Sequence, residues 1–211
     1  MIRNEVFHRS ELLFQDLLQI VASPAYDSSS RIAVSGNLCQ ISIEHSCAFR
    51  TLAENRMFTS SFVMLRAQFE AAVRSVWTLY AASKSQVDRM AAPMSVQAEQ
   101  AARNLPHVQD MLAGLACVPD AKLAFDALFE FKGSAWGALN SINHAGIHPL
   151  KRMVDGYPVP LILANVKSSN ALAMVAAMQF CILTGSDGLQ RQLDPLYERF
   201  HDCLPAHRAG A

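Results

Sequence analysis

The chain has 211 residues with 18 basic and 18 acidic side chains, a formal charge of zero, and a hydrophobic share of 51 %. That length and apolar content suffice for one domain with a sizeable core that needs no disulfide or metal staple. A balanced charge supplies no general attraction to nucleic acid or to acidic membranes and leaves only local basic patches to consider. Thirteen of the 18 basic residues are arginine, the cation better suited to planar, partly buried pairing.

The opening stretch, "MIRNEVFHRSELLFQDLL", is charged and amphipathic, unlike a secretory leader. It predicts a helix from about Asn4 to Ala22, with Val6, Leu13, Leu17 and Ile20 on its apolar face. Pro24 and the serines of "SPAYDSSS" end it. A long second helix is expected from Ser29 to Asn55, with Gly36 inside it, and a tight turn at "ENRMFTSS" leads into a third that ends near Ser83. Beyond it the spacing predicts a short helix, a break at Pro93, and a helix from Ser95 to Leu112 kinked or divided at Pro106. Pro119 and Asp120 open the next helix, which should break at Gly133. Ser134 to Asn143 reads as helical, followed by a loop enforced by Gly146, Pro149 and Gly156. Pro160 to Thr184 reads as a buried Ala-rich helix capped by Gly185, and a last helix carries Pro195, with residues 204–211 fraying. No strand alternation occurs. The expected architecture is all-α: a single-domain antiparallel bundle of about six to eight helices with long central ones.

Five cysteines without a CxxC pair read as reduced thiols of a cytoplasmic protein. The longest apolar run, residues 171–183, is too short and too polar at Gln179 to span a bilayer, so no membrane partner is expected. HExxH, Walker A, GxGxxG and GxSxG motifs are missing, so neither a metal nor a cofactor is expected.

Chemistry is suggested by two stretches. In "SSFVMLRAQFEAAVRSVWTLYAAS" the only charges are Arg66, Glu70 and Arg74, four residues apart along one ridge. Arg66 falls on the edge of the apolar arc made by Phe62, Leu65, Phe69, Val73 and Val76, so this ladder is partly buried and needs partners. It is either a staple between helices or the floor of a polar pocket in which the arginines hold an anion and Glu70 orients them or acts as a base. The second stretch, "LNSINHAGIHPLKR", crowds Asn140, Ser141, Asn143, His144, His148, Lys151 and Arg152 at a helix end, either as capping groups or as ligand contacts, with His144 a candidate proton carrier. His45 sits about as far before the turn between the second and third helices as Glu70 sits after it, which puts the two at similar depth.

Together these two stretches, with "EHSCAFRTLAENR" before them, resemble an uncharacterised bacterial family of helical proteins over residues 40–165. Its pattern is an Arg-x-x-x-Glu core followed by an aromatic, then a Ser/Asn-rich segment ending in histidine and small residues. The resemblance implies a bundle distantly similar to HEPN domains of toxin–antitoxin and antiphage systems, acting as a homodimer and as a metal-independent ribonuclease on RNA. It maps function onto Arg66, Glu70 and His144, with His45 and Arg74 as further contacts. The Arg-x(4–6)-His motif of HEPN ribonucleases has one counterpart here, Arg3–His8, at the wrong end of the chain. The alternative reading is a noncatalytic helical module that binds a small ligand or a protein partner, with the ladder purely structural.

Overall fold

A computed structural model describes residues 2–206. Among the described residues there are ten α-helices and no strand, so the all-α expectation holds and the helix number is slightly above it. The helices are α1 (Ile2–Val21), α2 (Ser30–Glu54), α3 (Phe58–Tyr80), α4 (Lys84–Ala91), α5 (Val96–Ala102), α6 (Val108–Leu115), α7 (Lys122–Asn143), α8 (Ile147–Asp155), α9 (Val159–Thr184) and α10 (Asp187–Arg199). The extra elements come from Pro106, which divides the expected 95–112 helix into α5 and α6, and from α8, which forms where a loop was expected. Pro149 sits in the first turn of α8, where its missing N–H costs nothing.

Two further boundaries differ from expectation. Gly133 does not break α7: the helix runs through it because Leu128, Phe131, Leu139 and Ile142 are buried on both sides, outweighing about 1 kcal/mol of glycine penalty. The third helix stops at Tyr80, and Ser83 instead starts α4 through a reciprocal capping box with Gln86.

α2 and α3 form an antiparallel hairpin, and α9 packs across both and against α1. Small polar residues let these backbones approach. Ser35 and Ser75 each donate to the other's carbonyl at 3.0 Å, and Ser42 Oγ donates to Gln68 O at 3.1 Å. The Gln68 amide donates to Ser169 O at 2.8 Å, and Ser169 Oγ returns a bond to Gln68 Oε1 at 2.7 Å. One apolar core gathers Phe49, Phe62, Phe69, Leu128 and Phe131 between α2, α3 and α7; a second gathers Leu13, Leu17, Met174, Phe180 and Phe200 between α1, α9 and α10.

α9 is longer than the apolar run seen in the sequence, and by length and composition it could cross a membrane. In this fold 56 % of its most apolar window is buried inside the bundle, as for a core helix. Two arginines without a sequence-level role are structural. Arg50, buried, pairs with Glu11 at 2.7 Å and lies over Phe14. Arg31 donates to the carbonyls of Thr78, Leu79 and Ala82, which closes the C-terminal end of α3. Leu204, expected to fray, is buried in the second core; residues 207–211 and the Arg3 side chain lie outside the described residues.

Candidate functional site

The ladder on α3 faces α6 and α7. Arg66 Nε donates to Glu70 Oε1 at 2.9 Å, and Arg74 Nη1 donates to Glu70 Oε2 at 3.3 Å, so both carboxylate oxygens are engaged. Arg66 Nη1 also donates to Asn140 Oδ1 at 2.5 Å, and its guanidinium lies 4.6 Å from the Trp136 ring centre. Trp136 is itself edge-on to Phe69, which locks it against α3. Side-chain exposure rises along the ladder, from 14 % for Arg66 through 22 % for Glu70 to 39 % for Arg74. Arg66 thus ties α3 to α7, and Arg74 at the other end of the ladder opens outward.

What it opens into is a cleft of about 470 Å³ between α3, α6 and α7. The cleft is lined by the three ladder residues, by Trp136, and by His107, Val108, Gln109 and Asp110 at the start of α6. His107 is the residue before the first turn of α6, and no side chain caps that end. The helix's first amides and its dipole thus favour negative charge beside Arg74. The Glu70 and Asp110 carboxylates balance the two arginine charges, so the lining is formally neutral and any attraction for an anion is local to the outer guanidinium and the α6 amides. The cleft can hold a small anion against a guanidinium and a helix N-terminus, with an indole wall and an imidazole at its rim.

The other expected site residues lie elsewhere. His144 is the exposed C-terminal cap of α7, and its amide donates to Asn140 O at 3.2 Å. Asn143 is exposed beside it. His148 starts α8, where its amide donates to Ser141 Oγ at 3.2 Å, and Arg152 donates to Gly156 O at 3.4 Å at the other end of α8. The crowded "LNSINHAGIHPLKR" segment is therefore chiefly a helix–turn–helix corner. Gly146 is required there because a Cβ would come 2.6 Å from Ser141 Oγ. His45 is half-buried on α2. The predicted similar depth does not bring it to the ladder, since α2 packs on the Gln68–Ser75 side of α3. The link from this segment to the ladder is Asn140, one turn before His144.

Sequence reasoning missed His107 and Trp136 as site residues, and it singled out Asn140 only as one of the polar groups crowded in its segment. Pro106–His107 ahead of "VQDM" was a readable helix-start signal, but nothing in the spacing told which helix that start would face. Among the described residues no group of three or more His, Cys, Asp or Glu side chains could hold a metal ion.

No curated protein and no solved structure matches this chain. A family model does, over residues 39–206, a span that contains the residues 40–165 of the resemblance read in the sequence and carries no link to HEPN domains. The matched span includes the ladder, the cleft and both helices of the α7–α8 corner. The chain belongs to that family, a family of unknown function designated DUF6988.

Proposed function

We propose that this protein is a helical binding module that holds a small anionic ligand, phosphate- or carboxylate-bearing, in the α3–α6–α7 cleft. The observation that carries this reading is the inequality of the two arginines. Arg66 is committed to Glu70, Asn140 and Trp136, whereas Arg74 spends one 3.3 Å bond on Glu70 and is 39 % exposed at the cleft. Arg74 satisfies the second Glu70 oxygen and still keeps donors free to face the cleft. Glu70 holds the Arg74 fork in place, and the start of α6 supplies the second half of the cradle.

The test is thermal shift and titration calorimetry with inorganic phosphate, nucleoside mono- and triphosphates, and short single-stranded RNA. A ligand at about a hundred times its Kd should stabilise the wild type by roughly 3 kcal/mol. Arg74→Ala should lose that gain while remaining folded. If no anion in the millimolar range moves the wild-type transition, the reading fails.

A second reading keeps the HEPN-like resemblance: a metal-independent ribonuclease of bacterial defence or stress response, working in the cytoplasm. It is supported by Asn140, which joins Arg66 to the segment that carries the resemblance, and by an imidazole, His107, on the cleft rim. In that case the arginines would stabilise charge on a phosphorane and His107 or His144 would move the proton. Cleavage of RNA in the presence of a chelator, and cell toxicity on expression, both abolished by His107→Ala or His144→Ala, would select it over simple binding.

A further inference from the structure

α8 is inside out. Of its nine residues only Pro149 is buried. Ile147, Leu150, Met153 and Val154 are 60 %, 62 %, 76 % and 84 % exposed. Ile147, Leu150 and Val154 recur at i, i+3 and i+7, the spacing of a seam meant to meet another helix. Four such side chains make a patch on the order of the ~300–600 Å² that is already the largest on an ordinary monomer.

The helix before it offers the complementary shape. On α7, residues Glu130, Gly133, Ser134, Gly137, Ala138 and Ser141 share one face, and all but half-buried Ser141 are exposed. A Cβ built on Gly133 or Gly137 would meet nothing within 4 Å, so this face is an open, shallow groove. From Glu130 to Ser141 it runs about 17 Å, long enough for the roughly 13 Å of α8. The charges match as well. Lys151 flanks the ridge and Glu130 flanks the groove, and neither has an ion-pair partner among the described residues.

We propose that the α7–α8 corner is a self-complementary surface on which a second copy of this chain docks. The Ile147–Leu150–Val154 ridge of each copy lies along the Gly133–Gly137 groove of the other, with Lys151 facing Glu130 of the partner subunit. In an isologous contact the ridge of each copy meets the open α7 face of the other, and the Lys151–Glu130 pair occurs twice. The ridge alone falls short of the ~800 Å² per partner of a standard interface, so the open face of α7 must contribute.

Size-exclusion chromatography with light scattering, and sedimentation equilibrium, on the full chain test it. At about 10 μM, above a micromolar Kd, the wild type should run at twice its 23.2 kDa. Val154→Asp and Gly137→Leu should each raise the dimer Kd at least about tenfold, one by placing a charge on the ridge and the other by filling the groove. Circular dichroism should be unchanged, because both positions face solvent in the single chain. Lys151→Glu should weaken the dimer and Lys151→Glu/Glu130→Lys should restore it. A wild type that stays monomeric at 100-fold higher concentration overturns the proposal, as does a dimer indifferent to all three single variants. A monomer that floats with phosphatidylserine vesicles through Val154 would put a bilayer on this ridge instead and likewise overturn it.

Discussion

Arg66 Nη1 donates to Asn140 Oδ1 over 2.5 Å, and the same guanidinium lies over Trp136, one turn earlier on α7. One side chain thus joins α3 to α7 by a hydrogen bond and a cation–π contact while it also holds Glu70. Removing it leaves a half-buried carboxylate short of one partner and a bare indole face. Arg66→Ala should therefore cost about 2–3 kcal/mol in urea denaturation. Arg66→Lys should recover little, since an ammonium cannot make the planar stack and the fork together. Asn140→Ala should cost about 1 kcal/mol, and the double variant should show coupling of similar size. Additive single costs would mean that the two side chains do not cooperate.

Arg74 should behave in the opposite way. Its ion pair with Glu70 is long and open to water, a class of contact worth about 0–1 kcal/mol. Arg74→Ala should unfold within about 0.5 kcal/mol of wild type and yet lose the anion-dependent stabilisation. Arg74→Lys should retain part of the binding because charge remains while bidentate geometry is lost. A large stability loss in Arg74→Ala would make the whole ladder structural and remove the basis for a ligand at this end.

This split between two arginines of one ladder also marks what was legible in the sequence. Arg66 lay on the edge of the apolar arc, so its need for partners could be read from a helical wheel. The identity of those partners could not, because Trp136 and Asn140 lie 70 and more residues away on a helix that the glycine at 133 seemed to interrupt. His45 shows the converse. Its depth along the hairpin was inferred from the turn, but rotation about the helix axis depends on which face carries small residues, and the serines at 35 and 42 turn α2 toward Gln68 and Ser75. Periodicity locates helices along the chain; the direction in which a short polar helix such as α6 points is set by tertiary packing. The outward ridge of α8 was hidden for a related reason. An amphipathic pattern states that one face is apolar and leaves open whether that face meets this chain's core or another surface.

Gln68 offers a test of the polar seam that sets this rotation. It is fully buried and exchanges two bonds with Ser169 of α9, at 2.8 and 2.7 Å. Gln68→Met keeps the volume but removes both bonds, leaving the Ser169 hydroxyl its 3.3 Å contact with Ser46 Oγ, and should cost about 2 kcal/mol in chemical denaturation. Ser169→Ala on that background should recover part of the loss, since one of the groups that lost a partner is then gone. If Gln68→Met is neutral, the seam is not what fixes α3 against α9.

The buried thiols give the chain a signature at alkaline pH. Burial pushes Cys39 up to about 12, partly offset by its bond to Ser75, and pushes Cys181 and Cys203 up to about 11, all from an ordinary value of 9.0. A raised folded-state value means that the folded chain keeps its protons where the unfolded chain releases them. Stability is then fully present below pH 9 and is lost as pH rises toward 11–12. Each thiol contributes a slope on the order of 1 kcal/mol per pH unit across that window. Lysine and arginine titrations are shared by all variants, so the informative quantity is a difference: Cys39→Ala should flatten the fall in urea midpoint between pH 8.5 and pH 10.5, while the exposed-site variant Cys117→Ala should not. The same ordering should appear in labelling with a thiol-specific disulfide reagent at pH 8. Cys117 should react at once, and Cys39, Cys181 and Cys203 only at the rate of unfolding. Rapid reaction of Cys39 or Cys181 under native conditions would show that the seam between α2, α3 and α9 opens far more readily than its hydrogen bonds imply.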